Sequence, residues 1–337
     1  MKFPDQMQAM ILEKAGGRLV YKQVPIPQPD DRQVLIKILA CGICRTDLHI
    51  LDGELARPKL PLILGHEIVG TIVKTGSAVK GLNPGQLVGI PWLGQTCGCC
   101  KFCVEGKENL CDNPLFTGYT IDGGYAEYTV ADARFCFILN ENQHQPASAP
   151  LLCAGLIGFR SYCMIAPASQ NIGLYGFGVA AHILIQIATT QGKKVFAFTK
   201  DGDTSGQEFA RKMGACWAGG SSDSPPEVLD AAIIFAAAGE LIPKALNDVG
   251  KGGQVICGGI HMSEIPAFSY DLLWGERSLK SVANLTRQDG IDFFLLLRNI
   301  AIQTQTELFQ LHEANEAISK FRSGQIKGAA VLVMGGF

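Results

Sequence analysis

The sequence predicts a two-part α/β protein, a small antiparallel β-barrel with long loops joined to a doubly wound parallel sheet. Its 337 residues correspond to about two domains at roughly 150 residues each, enough chain to bury a sizeable core. The prediction rests on a change of texture. Residues 1 to about 150 are rich in Pro, Gly and short β-type runs, whereas from Ile172 strands alternate with helical patterns.

In the first part, Val34–Leu39, Glu67–Val73 and Gln86–Ile90 read as strands separated by turn residues. In the second, Ile172–Tyr175 and Val195–Thr199 read as strands flanking an amphipathic helix from about Val179 to Gln191. Ala231–Phe235 and Gln254–Cys257 continue the strands, with a helix between them near Leu241–Val249. Such alternation implies right-handed crossovers and a parallel sheet. Two further helical patterns follow, Asp289–Ile302 and His312–Arg322, and then an apolar strand, Ala329–Met334.

Composition excludes several classes. Apolar residues make up 47% and charged residues 18%, against a disordered chain. Lys and Arg number 29 against 31 acids, a net charge of −2, so no basic excess attracts nucleic acid or an anionic membrane. The uncharged-looking stretch Ser161–Gly192 is broken by Pro167, Ser169, Gln170, Asn171 and glycines, so no membrane span is expected. Met1-Lys2-Phe3-Pro4-Asp5 has no apolar signal core, and a cytoplasmic location is expected.

Twelve cysteines in such a chain point to metal or catalytic use before disulfides. The clearest grouping is Cys97-x2-Cys100-x2-Cys103-x7-Cys111. Four thiolates at loop spacing close a tetrahedral shell around Zn²⁺, and a closed shell is structural. Cys99 is a fifth thiol that could replace Cys100; the even spacing favours Cys100.

A second grouping is scattered: Cys44 followed by Thr46, Asp47 and His49, then Gly65-His66-Glu67, then Cys153. Cys44, His66 and Cys153 supply the Cys₂His ligand set of an open zinc site, a Lewis acid that lowers the pKa of an alcohol or polarises a carbonyl. Asp47 and Glu67 are carboxylates placed to orient His66 and tune the metal. Thr46 and His49 are a hydroxyl and an imidazole suited to passing the alcohol proton outward. Taken singly, His66 and Cys153 read as ordinary structural residues.

A third grouping is Gly176-Phe177-Gly178-Val179-Ala180-Ala181 at a strand-to-helix junction. Gly-x-Gly-x-x-Ala there lets backbone approach a pyrophosphate at the positive helix end. The acid that usually closes the second strand and selects NAD is replaced by Thr199, followed by Lys200, with Asp201 and Asp203 close behind. This favours acceptance of NADP(H) alongside NAD(H).

With these elements in this order, the sequence resembles the zinc-containing medium-chain alcohol dehydrogenases over nearly its whole length, including a closing Ala314-Asn315-Glu316-Ala317 helix. The resemblance implies a GroES-like β-barrel catalytic domain with a zinc lobe, residues 1–154, a Rossmann domain, 155–284, and a return of 285–337 to the catalytic domain. It implies two zinc ions, with Glu67 an occasional ligand of the catalytic one. Thr46 would contact the alcohol oxygen, His49 end the relay and Arg45 face the pyrophosphate. Gly259, Ile260 and Ala283 join the expected cofactor contacts. A homotetramer is implied, a dimer being the alternative, acting on a small alcohol or aldehyde.

Two departures stand out. Ala329 occupies a position where many relatives have an arginine, and Leu55 one where an aromatic is common, leaving Trp92 as the nearby aromatic and implying a wider pocket. Polyol or formaldehyde dehydrogenases are the alternative enzymes. A zinc-stabilised redox sensor or binding protein is the non-enzyme alternative, but only the enzyme uses Thr46, His49 and Gly176 together.

Overall fold

The computed structural model describes residues 4–259 and 261–335, in two compact units. Of the described residues, unit one comprises 4–153, 284–298 and 303–335; unit two comprises 154–259, 261–283 and 299–302. The chain thus passes between units at 153/154 and 283/284, one residue before the expected positions. The short segment 299–302 falls with the second unit rather than with the C-terminal return.

Unit one is built on a seven-stranded sheet. Its path runs Phe137–Ile138, Leu87–Ile90, Glu67–Thr75, Gln33–Ile43, Ala329–Val333 and Thr306–Gln310, with Tyr128–Asp132 also paired to Gln33–Ile43. A three-stranded sheet of Val20–Pro25, Gln6–Leu12 and Leu62–Ile63 lies beside it. Residues 125–127 stitch the two together: Met10 N–H donates to the Tyr125 carbonyl at 2.8 Å, Glu127 N–H to Gln8 at 3.1 Å, and Ile38 N–H to Glu127 at 2.9 Å. The expected antiparallel pairing has one exception. Thr306–Gln310 and Ala329–Val333 are parallel, because the helix Ala314–Arg322 crosses between them.

Gln33–Ile43 is the central strand and is buried along most of its length, since sheet neighbours and packed side chains cover both faces. It delivers the chain directly into the short helix Arg45–Leu51.

Unit two is a six-stranded, fully parallel sheet in the order Trp217–Gly220, Lys194–Thr199, Asn171–Tyr175, Leu229–Ile234, Val249–Cys257, Ser278–Ser281. Numbered along the chain this is 3-2-1-4-5-6, the doubly wound order. Its strands are apolar on both faces. Leu174, Val195, Ala197 and Ile233 enter one core, and Tyr175, Phe196, Phe198 and Ile234 the other. Trp217–Gly220 and Ser278–Ser281 have no counterpart in the sequence reading, being short and rich in glycine or polar residues.

One helix is shorter than its pattern suggested. It spans Arg287–Leu296 and does not reach Ile302. From Leu297 the chain turns, where the exposed polar pair Arg298-Asn299 breaks the apolar face. Among the described residues no helix is long and apolar enough to cross a membrane.

Candidate functional site

Cys44 sits at the junction of Gln33–Ile43 and the helix Arg45–Leu51, where its backbone N–H donates to Asp47 Oδ2 at 2.8 Å. Asp47 is thereby anchored as the first-turn carboxylate of that helix, where the helix dipole favours it. His66 follows Gly65, whose φ of +95° turns the chain; a Cβ there would lie 2.4 Å from the Tyr125 ring and 2.7 Å from Cys41 Sγ. No other residue fits. Glu67 opens the next strand, opposite Gly42, and Cys153 ends the turn Pro146–Leu152.

Four ligand atoms, one each from Cys44, His66, Glu67 and Cys153, lie within 4.8 Å of one another. The two sulfurs are 3.7 Å apart. His66 and Glu67 are buried, and His66 Nδ1 lies 3.5 Å from Asp47 Oδ1. The opposite ring nitrogen, Nε2, is buried with no hydrogen-bond partner among the described residues. An imidazole nitrogen left unsatisfied beside two thiols fits a bound Zn²⁺, which would complete it. The thiols differ: hydrogen bonding from Cys153, opposed by burial and assisted by His66, holds Cys44 well below the usual thiol range, while Cys153 is pushed up. Burial, then the charge of Cys44, raises Glu67.

Thr46 is buried with its hydroxyl 3.8 Å from Cys44 Sγ. His49 stands one helical turn on, half-buried, its Nδ1 paired with Glu54, and is not among the four converging groups. Arg45 is exposed at the start of the same helix.

Trp92 packs edge-on against His66, centroids 4.9 Å apart, and Phe116 and Tyr119 stack on it at 5.1 and 5.6 Å. Leu55 packs against the same core. Sequence reasoning named Trp92 alone. The signal for its partners was two aromatics three residues apart soon after the last lobe cysteine.

In the lobe, the sulfurs of Cys97, Cys100, Cys103 and Cys111 also lie within 4.8 Å of one another. Backbone N–H groups of Cys97 and Asn113 each donate to Cys111 Sγ at 3.4 Å, and that of Cys100 to Cys97 Sγ at 3.4 Å. Donation from the Cys99 and Cys100 amides lowers Cys97 to about 6, whereas burial raises Cys111 to about 12. Four sulfurs converging and solvated by amides fit a closed zinc shell. Cys99 is exposed and outside the tetrad. Glu108, between Cys103 and Cys111, accepts from the Arg287 N–H at 2.9 Å and Nε at 2.8 Å, tying the lobe to the helix Arg287–Leu296.

In unit two, Gly176 has φ +89°, and a Cβ there would lie 2.8 Å from Ala236 N. Gly178 precedes the helix Val179–Thr190, and nothing lies within 4 Å of a Cβ built on it. No side chain caps this helix, leaving its first N–H groups for an anion. Ala181 is fully buried, and Phe177 packs edge-on against Phe209. Gly259 lies just past the strand Val249–Cys257 and Ala283 just past Ser278–Ser281, both at carboxyl ends of the sheet. Ile260 lies outside the described residues.

Thr199 is buried, and its hydroxyl is shared between the carbonyls of Gly219 at 3.3 Å and Lys200 at 3.2 Å. It links the end of its strand to the neighbouring one. Asp201 accepts from Ser222 N–H and the Ser221 hydroxyl, and Asp203 caps the helix Thr204–Lys212, while Lys200 is exposed.

Residues 30–141 match the alcohol dehydrogenase GroES-like domain. A probable alcohol dehydrogenase, AdhA, from Mycobacterium tuberculosis is 40% identical over 92% of this chain and 91% of its own. An alcohol dehydrogenase from Geobacillus stearothermophilus is 33% identical over 97% of this chain and 98% of its own. Among solved structures, acetophenone reductase from Geotrichum candidum in complex with NAD superimposes with a TM-score of 0.85 at 29% identity, covering 99% of each chain. Relatives of this similarity and coverage place the chain among the zinc-containing medium-chain alcohol dehydrogenases.

Proposed function

We propose that the chain catalyses reversible hydride transfer between an alcohol and NAD(P), with two zinc ions per chain, one structural and one catalytic. The observation that supports this most directly is the convergence of Cys44, His66 and Cys153 around an unsatisfied buried imidazole nitrogen. Zinc there would polarise the alcohol or carbonyl oxygen, and nicotinamide would take or give the hydride.

The protein residues do the rest. Cys44, His66 and Cys153 hold the ion, with Glu67 an occasional fourth ligand, and Asp47 keeps the His66 ring oriented. The Thr46 hydroxyl accepts the alcohol proton and His49 carries it towards Glu54 and solvent. The backbone of Gly176, Phe177, Gly178 and Val179 and the open helix end receive the pyrophosphate. Arg45 and Lys200 remain exposed cations for the anionic parts of the cofactor. Lys200, exposed just past Thr199, supports use of NADP(H) as well as NAD(H), working against the charge of Asp201 and Asp203 close behind it.

The stack of Trp92, Phe116 and Tyr119 beside His66 gives the substrate side an aromatic wall. A small primary or secondary alcohol, or the matching aldehyde or ketone, is the substrate class. A cytoplasmic homotetramer, alternatively a dimer, completes the reading. Following reduced-nicotinamide absorbance with a panel of alcohols, before and after chelation, tests it; turnover indifferent to metal removal would defeat it.

A further inference from the structure

Behind His66 lies a buried polar cluster with incomplete hydrogen bonding. His66 Nδ1, Asp47 Oδ1 and the Tyr125 hydroxyl are each buried, and each lacks a hydrogen-bond partner among the described residues. Asp47 Oδ2 is committed to the Cys44 N–H at 2.8 Å, leaving Oδ1 for its neighbours. One neighbour is His66 Nδ1 at 3.5 Å. The other is Tyr125, whose phenol is pushed up by burial first and by the charge of Asp47 next, with Cys41 and Glu67 also facing it.

Tyr125 is held fast where it stands. Its N–H donates to the Leu64 carbonyl at 2.9 Å and its carbonyl accepts from Met10 N–H at 2.8 Å. Its ring covers Gly65, where a Cβ would lie 2.4 Å from Cδ1. The residue that clamps the segment carrying His66 therefore also carries a buried hydroxyl in need of a partner, and Asp47 is the charge that acts on it most strongly. A phenylalanine would fill the same volume and leave no buried hydroxyl to satisfy, so packing gives no reason for the oxygen.

We infer that Tyr125 is a positioning residue for the catalytic metal: its hydroxyl donates to Asp47, which braces the Nδ1 side of His66 and aims Nε2 at the ion. The inference rests on the reading that Cys44, His66 and Cys153 hold zinc. It makes the metal site three shells deep, from ion to imidazole to carboxylate to phenol, as outer-shell partners of metal-bound histidine tend to be.

The test uses full-length protein loaded with Co²⁺ in place of zinc, as wild type, Tyr125→Phe and Cys44→Ser. Cobalt–thiolate absorption and release of metal to a chelator are followed, Cys44→Ser identifying the phase that belongs to this site. Tyr125→Phe should release that metal about tenfold faster, with shifted d–d bands, while the four-cysteine lobe releases at the wild-type rate. Wild-type release and an unchanged spectrum in Tyr125→Phe would overturn the inference. Wild type without a Cys44-dependent cobalt band would overturn the zinc reading itself, and the inference with it.

Discussion

Gly42 lies directly beneath Glu67: a Cβ on Gly42 would stand 1.9 Å from Glu67 Oε2 and 3.0 Å from Glu67 Cβ. The two residues are paired across neighbouring strands, Gly42 two positions before Cys44 and Glu67 next to His66. The missing side chain makes the space in which a buried carboxylate reaches the metal ligands. Gly42→Ala should push Glu67 out of place and cost about 1–3 kcal/mol by overpacking. Denaturant midpoints and zinc content of the variant check this, and an unchanged midpoint with full zinc would show that the strand pair yields freely.

His49 is expected to move protons without binding metal. His49→Gln should keep both zinc ions while slowing alcohol oxidation by up to about 100-fold, most at low pH where solution bases cannot substitute. Loss of catalytic zinc in this variant would reassign His49 as a ligand.

The lobe cysteines should divide cleanly. Cys103→Ser should lower thermal stability and remove one zinc, because structural zinc binding contributes directly to folding. Cys99→Ala should leave zinc content and melting temperature unchanged, since Cys99 lies outside the tetrad. A drop in zinc in Cys99→Ala would make it the true ligand in place of Cys100.

Glu108 gives the lobe a pH signature. Burial works against its charged form, but the hydrogen bonds from Arg287 outweigh that and hold its carboxyl below the usual range. A depressed folded value means the stabilisation is present above the unfolded carboxylate value of about 4.3 and fades as pH falls through the lower folded value. Glu108→Gln should therefore cost about 1.5–3 kcal/mol near pH 7, and the gap to wild type should narrow below about pH 4. Parallel denaturation curves at both pH values decide it.

Cofactor preference should respond at Lys200 and not at Thr199. Lys200→Ala should reduce kcat/KM for NADP relative to NAD by about tenfold, the equivalent of ~1.4 kcal/mol. Equal effects on both cofactors would remove Lys200 from phosphate recognition.

These residues also mark how far the sequence could be read. The Cys and His groups that converge were legible because cysteine and histidine spacing is itself the chemistry, and the candidate fingerprint because Gly176 and Gly178 stand at a strand–helix junction. The apolar strands of both units were visible for a related reason, since burial on two faces leaves long unbroken runs such as Ile172–Tyr175. What spacing cannot show is direction. Thr199 occupies the expected place at the end of its strand, yet its hydroxyl turns into the sheet towards Gly219. Likewise nothing in the separate positions of Trp92, Phe116 and Tyr119 announced a stack, and nothing in Gly42 announced Glu67 above it. The strand Trp217–Gly220 was invisible because it is short and half glycine, held by its neighbour rather than by its own pattern.

A zinc ion held by Cys44, His66 and Cys153 and needed for hydride transfer is the centre of the proposed chemistry. The most direct test is zinc content and alcohol-dependent nicotinamide reduction, measured on the same preparations of wild type and Cys44→Ser. Wild type should hold about two zinc ions per chain and Cys44→Ser about one, with turnover lowered by at least about 100-fold and the fold intact. Cys44→Ser that keeps both zinc ions, or loses one without losing turnover, would contradict it.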